Sequence, residues 1–300
     1  MSELPIYVVQ GPTASGKTAL AITLAQQLQT EIISFDSRQF YKELAIGVAR
    51  PSEAEQAAVK HHFIASHSIE EPLNAAQFAA CARPVLDQLL ESRGSAVLVG
   101  GSAMFADALL LGLDPLPHDP TLQLKWQNVF KNEGLQALQM ALQKNDLAFF
   151  EQVDRENPVR LIRALEIVEL TGQSNTVLRK GPRQDPEGVT RIYLDWPRAE
   201  LYGRIDQRVD LMIAEGLETE AQRFYPQQSH LQSLQTVGYT EFFHFFSGHI
   251  SRAEAVAQIK QHTRNYAKRQ LTWLGRYANT LALDPKIDTQ QLANAILKIG

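Results

Sequence analysis

The sequence predicts an α/β protein: a P-loop NTPase-like parallel sheet flanked by helices, with a helical insertion and a helical C-terminal region. Three observations predict it. Short apolar runs alternate with helical patterns through the N-terminal third. The turn after the first run reads Gly11-Pro12-Thr13-Ala14-Ser15-Gly16-Lys17-Thr18. Strand character then stops near residue 113 and returns only near residue 191.

Residues 6–9 form the first strand, and residues 17–29 follow with Leu20, Leu24 and Leu28 at helical spacing. A β-branched run over 31–35 ends in Asp36-Ser37. Helical patterns cover 52–60 and 74–91, and 96–99 is a third buried strand closed by Gly100-Gly101. Strands and helices alternating at these spacings give a parallel sheet, which binds ligands at the carboxyl ends of its strands. Residues 115–120 read as a linker, and the stretch to about 184 as helical. Residues 191–195 supply the last core strand, and 199–224 and 252–277 the clearest C-terminal helices. The expected division is therefore 1–113 with 187–300 as the core, and 114–186 as the inserted helical domain.

Hydrophobic content of 44% against 21% charged residues excludes wholesale disorder. The longest apolar runs, 96–99 and 106–111, are too short to span a bilayer, so no membrane is expected. The start of the chain lacks the basic and apolar regions of a signal peptide. One cysteine, Cys81, leaves no intramolecular disulfide and no cysteine-based zinc site. The expectation is a cytoplasmic monomer. A net charge of −4 does not announce a nucleic-acid binder, but phosphate contacts need only a local basic face. Two stretches offer one. Arg252, Lys260, Arg264, Lys268, Arg269 and Arg276 face Glu254 alone, and a second group comprises Arg155, Arg160, Arg163, Arg179, Lys180 and Arg183.

The segment Gly11–Thr18 matches G-x-x-x-x-G-K-[ST] between a strand and a helix. Its glycines let backbone amides curl around a phosphate chain at a helix N-terminus, where orphan N–H groups favour anions. Lys17 would reach the outer phosphates, and the Thr18 hydroxyl would ligate Mg²⁺. NTPases normally carry a metal-holding acid at the end of another strand, yet the third strand here ends in Gly100-Gly101-Ser102. The available carboxylate is Asp36, which could serve either as a general base or as an ordinary turn aspartate.

Eight ordered segments carry a family resemblance: GPTASGKT, DSRQFY (36–41), IGVARP (46–51), LVGGSAMF (98–105), NPVRLIRALEI (157–167), TGQSN (171–175), VGYTE (237–241) and TRNYAKRQLTW (263–273). Together they resemble the tRNA dimethylallyltransferases, also called isopentenyltransferases, over nearly the whole chain. The resemblance implies transfer of a dimethylallyl group from dimethylallyl diphosphate to N6 of an adenine in the anticodon stem-loop of tRNA. It implies that Lys17, Ser102 and Arg208 contact the diphosphate, that Mg²⁺ sits near Thr18, and that Asp36 accepts the N6 proton. It also assigns tRNA contact to Asp36, Ser37, Arg38 and Gln39, and to Val159, Arg160, Leu161, Ile162 and Arg163. Further contacts fall on Gln235, Thr236, Val237, Gly238, Tyr239 and Thr240, then on Lys268, Arg269, Gln270 and Trp273, with Ser102 and Gln123 as single positions. An adenine inside a stem-loop must be extruded to reach a buried site, and Tyr239 and Tyr266 could stack on splayed bases.

The chain departs from the family pattern at Ser102, Phe105, Val48 and Arg50, where threonine, tyrosine, threonine and lysine are usual, and at Gln123, where arginine is common. Prenylation of free adenine nucleotides and small-molecule phosphorylation are the alternative activities. The bland reading of the 252–276 run is a solvated helix face. His61, His62 and His67 read as structural rather than metal-binding, Cys81 as a core residue, and Phe242, Phe243, Phe245 and Phe246 as core packing. Asp206 and Asp210 should pair with nearby arginines.

Overall fold

The computed structural model describes residues 4–181, 184–228 and 230–298. These cluster into two compact units, Met1–Gly112 with Asp185–Gly300, and Leu113–Gln184.

The larger unit is built on a six-stranded, all-parallel sheet: β1 (Ile6–Gln10), β2 (Ile32–Ser34), β3 (His61–His62), β4 (Ala96–Gly100), β5 (Val189–Leu194) and β6 (Leu281–Leu283). Their spatial order is β3-β2-β4-β1-β5-β6. Sequence periodicity missed β3 and β6, edge strands too short to display an alternation. Central strand β1 sets Ile6 opposite both Ala96 and Val189. From Ile6 to Val9 its residues are apolar because both faces are covered. Ile6 and Val8 join Leu98 in one core, while Tyr7 and Val9 join Val97 and Val99 in the other.

Helices α1 (Lys17–Gln27), α2 (Glu53–Ala58), α3 (Ala75–Arg93) and α4 (Ala103–Leu110) lie within the N-terminal part of this unit. Asn74 caps α3 in a reciprocal pair with Gln77, which fixes where that helix begins. Cys81 is exposed, not core. It falls off the stripe formed by Phe78, Ala82 and Leu86, which carries the helix's burial.

The smaller unit contains α5 (Pro120–Glu133), α6 (Leu135–Asn145), α7 (Leu147–Phe150), α8 (Pro158–Thr171) and α9 (Asn175–Leu178). Asp119 and Asn157 cap α5 and α8, each followed by proline at the first helical position, where its missing N–H costs nothing. The unit has its own core of Leu138, Leu142, Leu161, Ile162 and Leu165.

The C-terminal helices are α10 (Arg198–Glu215), α11 (Leu217–Phe224), α12 (Tyr239–Phe246), α13 (Arg252–Leu274) and α14 (Thr289–Ile296). The expected single helix over 199–224 is two, because Gly216 sits at φ 104°, a left-handed geometry that terminates α10. Phe242 and Phe243 are buried in the core beneath these helices, and Phe245 and Phe246 pack against it. No helix among the described residues is long and apolar enough to cross a membrane.

Candidate active site

The loop between β1 and α1 wraps the helix N-terminus, whose first-turn N–H groups have no acceptor within the helix. Its carbonyls are held from outside. Lys17 Nζ donates to Pro12 O at 2.7 Å, Arg204 Nε to Ala14 O at 2.8 Å, and Trp196 Nε1 to Ser15 O at 2.8 Å. With those carbonyls tied back, the loop amides other than that of Thr13, which Gln270 takes, suit an anion. Arg208 lies 3.5 Å from Thr13 Oγ1, so with Lys17 and Arg204 three cations converge on this loop. Burial lowers the Lys17 pKa to about 8, Asp36 opposing the fall and Arg208 adding to it. Burial also lowers the Arg208 pKa, against the pull of Asp36. Cations held at this cost are poised for an anion.

Asp36 follows β2, and its Oδ1 accepts from the Arg38 N–H at 3.3 Å. It lines a cavity of about 470 Å³ together with Thr13, Ser102, Arg208, Tyr266 and Gln270. It also lines a smaller space of about 50 Å³ with Lys17, Thr18 and Ser34. One carboxylate thus borders both the phosphate loop and the larger cavity. Ser102 Oγ is 3.0 Å from Ser37 Oγ and accepts from the Ser37 N–H at 3.1 Å. Tyr266 is raised to about 12 by burial and the Asp36 charge, a hydrogen bond with Ser102 opposing the rise.

Gln270 bridges two loops. Its Oε1 accepts from the Thr13 N–H at 3.2 Å, and its Nε2 donates to Gly101 O at 2.9 Å. A Cβ at Gly101 would stand 2.1 Å from that Nε2, so the glycine is what admits the glutamine. This buried side chain, which also lines the cavity, clamps α13 to the P-loop. Arg38 donates to Ser233 O and Gln235 O, and Gln39 to Val48 O and Ala49 O. Both therefore fix loops that line the cavity.

The structure brings Asp36, Ser37, Arg38, Ser102, Gln235, Thr236, Val237, Gly238, Arg269, Gln270 and Trp273 around that single cavity. Tyr239 is not a stacking surface. It is fully buried, with its hydroxyl 2.5 Å from Glu220, and burial plus that carboxylate push its phenol far above the usual range. Thr240 donates to Thr236 O within the same turn. Lys268 is exposed on α13, and Arg269 lies over the Tyr266 ring at 5.6 Å.

The remaining expected contacts lie in the smaller unit. Val159 is 72% exposed, and Arg160 is exposed 3.8 Å from Asp154. Leu161 and Ile162 are buried in that unit's core, since they form the inward stripe of α8, and their side chains offer nothing to tRNA. Arg163 bonds Glu166 at 2.6 Å and donates to Pro117 O and Leu116 O. Gln123 is partly buried on α5. Arg183 lies outside the described residues. Phe105, where the family usually has tyrosine, packs edge-on against Phe40 and Phe78 at 5.6 Å.

The three histidines occupy separate settings: His62 Nε2 is 2.6 Å from Glu31, His61 Nδ1 2.8 Å from Val59 O, and His67 Nδ1 2.8 Å from Ser66 Oγ. Asp206 pairs with Arg264, as expected of an arginine, but Asp210 takes Lys260 instead, at 2.6 Å. Sequence reasoning missed Glu220 altogether. No local signal marks it, because its partners lie on a loop 173–175 residues away.

Residues 39–277 match the family described as IPP transferase. The chain belongs to the IPP transferase family. A tRNA dimethylallyltransferase of Cytophaga hutchinsonii is 41% identical over 282 residues, covering 93% of this chain and 92% of the relative. The full-length tRNA isopentenylpyrophosphate transferase of Bacillus halodurans is 32% identical, with a TM-score of 0.73 and coverage of 98% and 96% of the two chains. A eukaryotic dimethylallyltransferase acting on tRNA shares the fold, with a TM-score of 0.79 at 22% identity and coverage of 98% and 77%. Family membership agrees with a P-loop whose neighbouring acid, Asp36, borders both the larger cavity and the smaller space beside Lys17 and Thr18.

Proposed function

We propose that this IPP transferase family member transfers the dimethylallyl group of dimethylallyl diphosphate to N6 of a tRNA adenine, the one beside the anticodon. One observation carries the reading: Asp36 faces both the Lys17–Thr18 pocket and the larger cavity. The donor's diphosphate rests on the loop amides, Lys17 and Arg208. As the C1–O bond breaks, its electron pair leaves on the diphosphate, and those fixed cations stabilise the charge that develops. N6 attacks C1, and its proton passes to Asp36 as the C–N bond forms. The amine is a weak nucleophile, so holding it in line matters as much as base strength.

Thr18, Ser34 and Asp36 present hard oxygens to the smaller pocket, which suits Mg²⁺ bound by few protein ligands alongside a diphosphate. Bound there, the ion would neutralise part of the diphosphate charge. A tRNA acceptor is favoured over a free nucleotide by Lys268, Arg269 and Arg276, which lack ion-pair partners among the described residues and suit phosphates. Mass spectrometry of tRNA incubated with the protein, Mg²⁺ and dimethylallyl diphosphate tests the reading. A dimethylallyl adduct on adenosine is expected; unmodified tRNA, or faster modification of AMP, would overturn it.

A further inference from the structure

The cavity has two unlike ends. Thr13, Asp36, Arg208 and Gln270 make one end polar, while Val48, Val209, Met212, Leu217, Val237 and Ile259 line an apolar one. Helices α10 and α13 run antiparallel along it, as the Asp206–Arg264 and Asp210–Lys260 pairs require. Arg208 stands at Thr13, and Met212 lies one turn beyond it, about 6 Å along the helix axis. On α13, Gln270 stands at the same threonine and Ile259 lies three turns away, about 16 Å. An apolar space therefore begins directly past the cations that hold a diphosphate.

The wall of that space is clamped. The buried Glu220 carboxylate accepts from the Ala45 and Ile46 N–H groups at 3.0 Å, from Gly47 N–H at 2.9 Å, and from the Tyr239 hydroxyl at 2.5 Å. Charge-assisted bonds of this kind are roughly twice as strong as neutral ones. A Cβ on Gly47 would meet the Tyr239 ring at 2.5 Å, so loop and ring are already in closest contact. Leu217 opens α11, the helix that carries Glu220, and packs 3.5 Å from the Cβ position of Gly238. The segment bearing Val48 cannot retreat without breaking these bonds.

We propose that Met212, Leu217 and Ile259 set the chain length of the prenyl donor, against a wall held in place by Glu220. They admit dimethylallyl and stop geranyl. This inference rests on the prenyl-transfer reading of the same cavity. The chemistry is identical for either chain: the C1–O bond breaks with its pair on diphosphate, N6–C1 forms, and the N6 proton goes to Asp36. Only the fit of the chain differs, and a single methylene in a fixed apolar pocket is worth about 10–200-fold in discrimination.

The test compares single-turnover transfer from dimethylallyl and geranyl diphosphate to an anticodon stem-loop, with inorganic diphosphate binding as a separate measurement of the P-loop. Wild type should prefer dimethylallyl by at least about 10²-fold. Met212→Ala should raise the geranyl-to-dimethylallyl ratio about tenfold or more, and Met212→Trp should raise KM for dimethylallyl diphosphate without changing inorganic diphosphate binding. Glu220→Gln places an amide N–H against the loop's own N–H groups, so it should loosen the wall and raise the same ratio. Met212 is only partly buried, so its variants keep the test valid if changes at Ile259 prevent folding. Equal use of the two donors by wild type, or an unchanged ratio in Met212→Ala and Glu220→Gln, overturns the inference. Absence of dimethylallyl transfer by wild type would instead remove the activity on which it rests.

Discussion

The two halves of α13 carry similar basic residues and put them to different uses. In the first half, Arg252, Lys260 and Arg264 are paired with Glu218, Asp210 and Asp206 at 2.7, 2.6 and 2.5 Å. In the second, Lys268, Arg269 and the following Arg276 have no carboxylate partner among the described residues, and the two arginines lie over the rings of Tyr266 and Trp273. The acids come from the later part of α10 and from α11; the N-terminal part of α10 packs against Ala267 and Leu271, but its acid, Glu200, pairs with Lys286. A basic run counted along the sequence therefore overstates the cations available to a polyanion. The run divides: its cations through Arg264 are paired with carboxylates, and those beyond it have no carboxylate partner among the described residues.

The sharpest contrast to either half is a group that acts in chemistry alone. Asp36→Asn keeps an acceptor but cannot take a proton, so single-turnover transfer should fall by about 10²–10⁴-fold. Binding of the stem-loop should stay near the wild-type value. A large loss of binding with unchanged chemistry would move Asp36 into the recognition surface.

Lys17 is the cation that should serve the donor rather than tRNA. Lys17→Ala should cost on the order of 10²–10³ in rate and leave stem-loop binding nearly intact. Its pKa gives a second handle. On the proposed reading the ammonium form binds diphosphate, and in the free protein it is lost as pH rises through about 8. Donor affinity should therefore hold below that pH and weaken above it, by up to about tenfold per pH unit. Lys17→Arg should remove the decline, since guanidinium does not titrate there. A flat wild-type profile measured by calorimetry from pH 7 to 9.5 would contradict the assignment.

Charge reversal at the open end tests the comparison itself. Lys268→Glu with Arg269→Glu should weaken stem-loop binding and flatten the plot of log K against log salt by roughly one to two units. Fluorescence anisotropy across a salt series reads this, and an unchanged slope would make the second half a solvated face like the first.

The smallest effect is expected at the paired end. Lys260→Gln breaks a partly exposed pair with Asp210, so stability should change by no more than about 1 kcal/mol. The salt slope of binding should stay where it was. If it flattens as much as in the Lys268–Arg269 variant, pairing does not decide which cations meet tRNA.

Much of this was legible in the sequence, because it is written in local patterns. A strand buried on both faces must be largely apolar, and β4 and β1 as far as Val9 are, with the buried Gln10 at the end of β1 taken by Arg191. The P-loop is eight consecutive residues whose spacing is its own geometry. Helix caps such as Asn74 with Gln77 and Ser251 with Glu254 are three residues apart and satisfy first-turn amides wherever they occur. Gly216 was legible in principle, as a glycine between two helical stretches, yet a continuous pattern across it hid the break.

What the tertiary structure decided was partnership across long separations. Gln270 meets Gly101 across 169 residues, and Glu220 closes on Ala45, Ile46 and Gly47 from the far side of the chain. Those contacts make Tyr239 a buried brace rather than a stacking surface, and Gln270 a clamp between two loops at the edge of the cavity. A side chain's type fixes what it can donate or accept. Only packing fixes which groups come within reach, and a buried polar group takes whatever partner the fold brings to it.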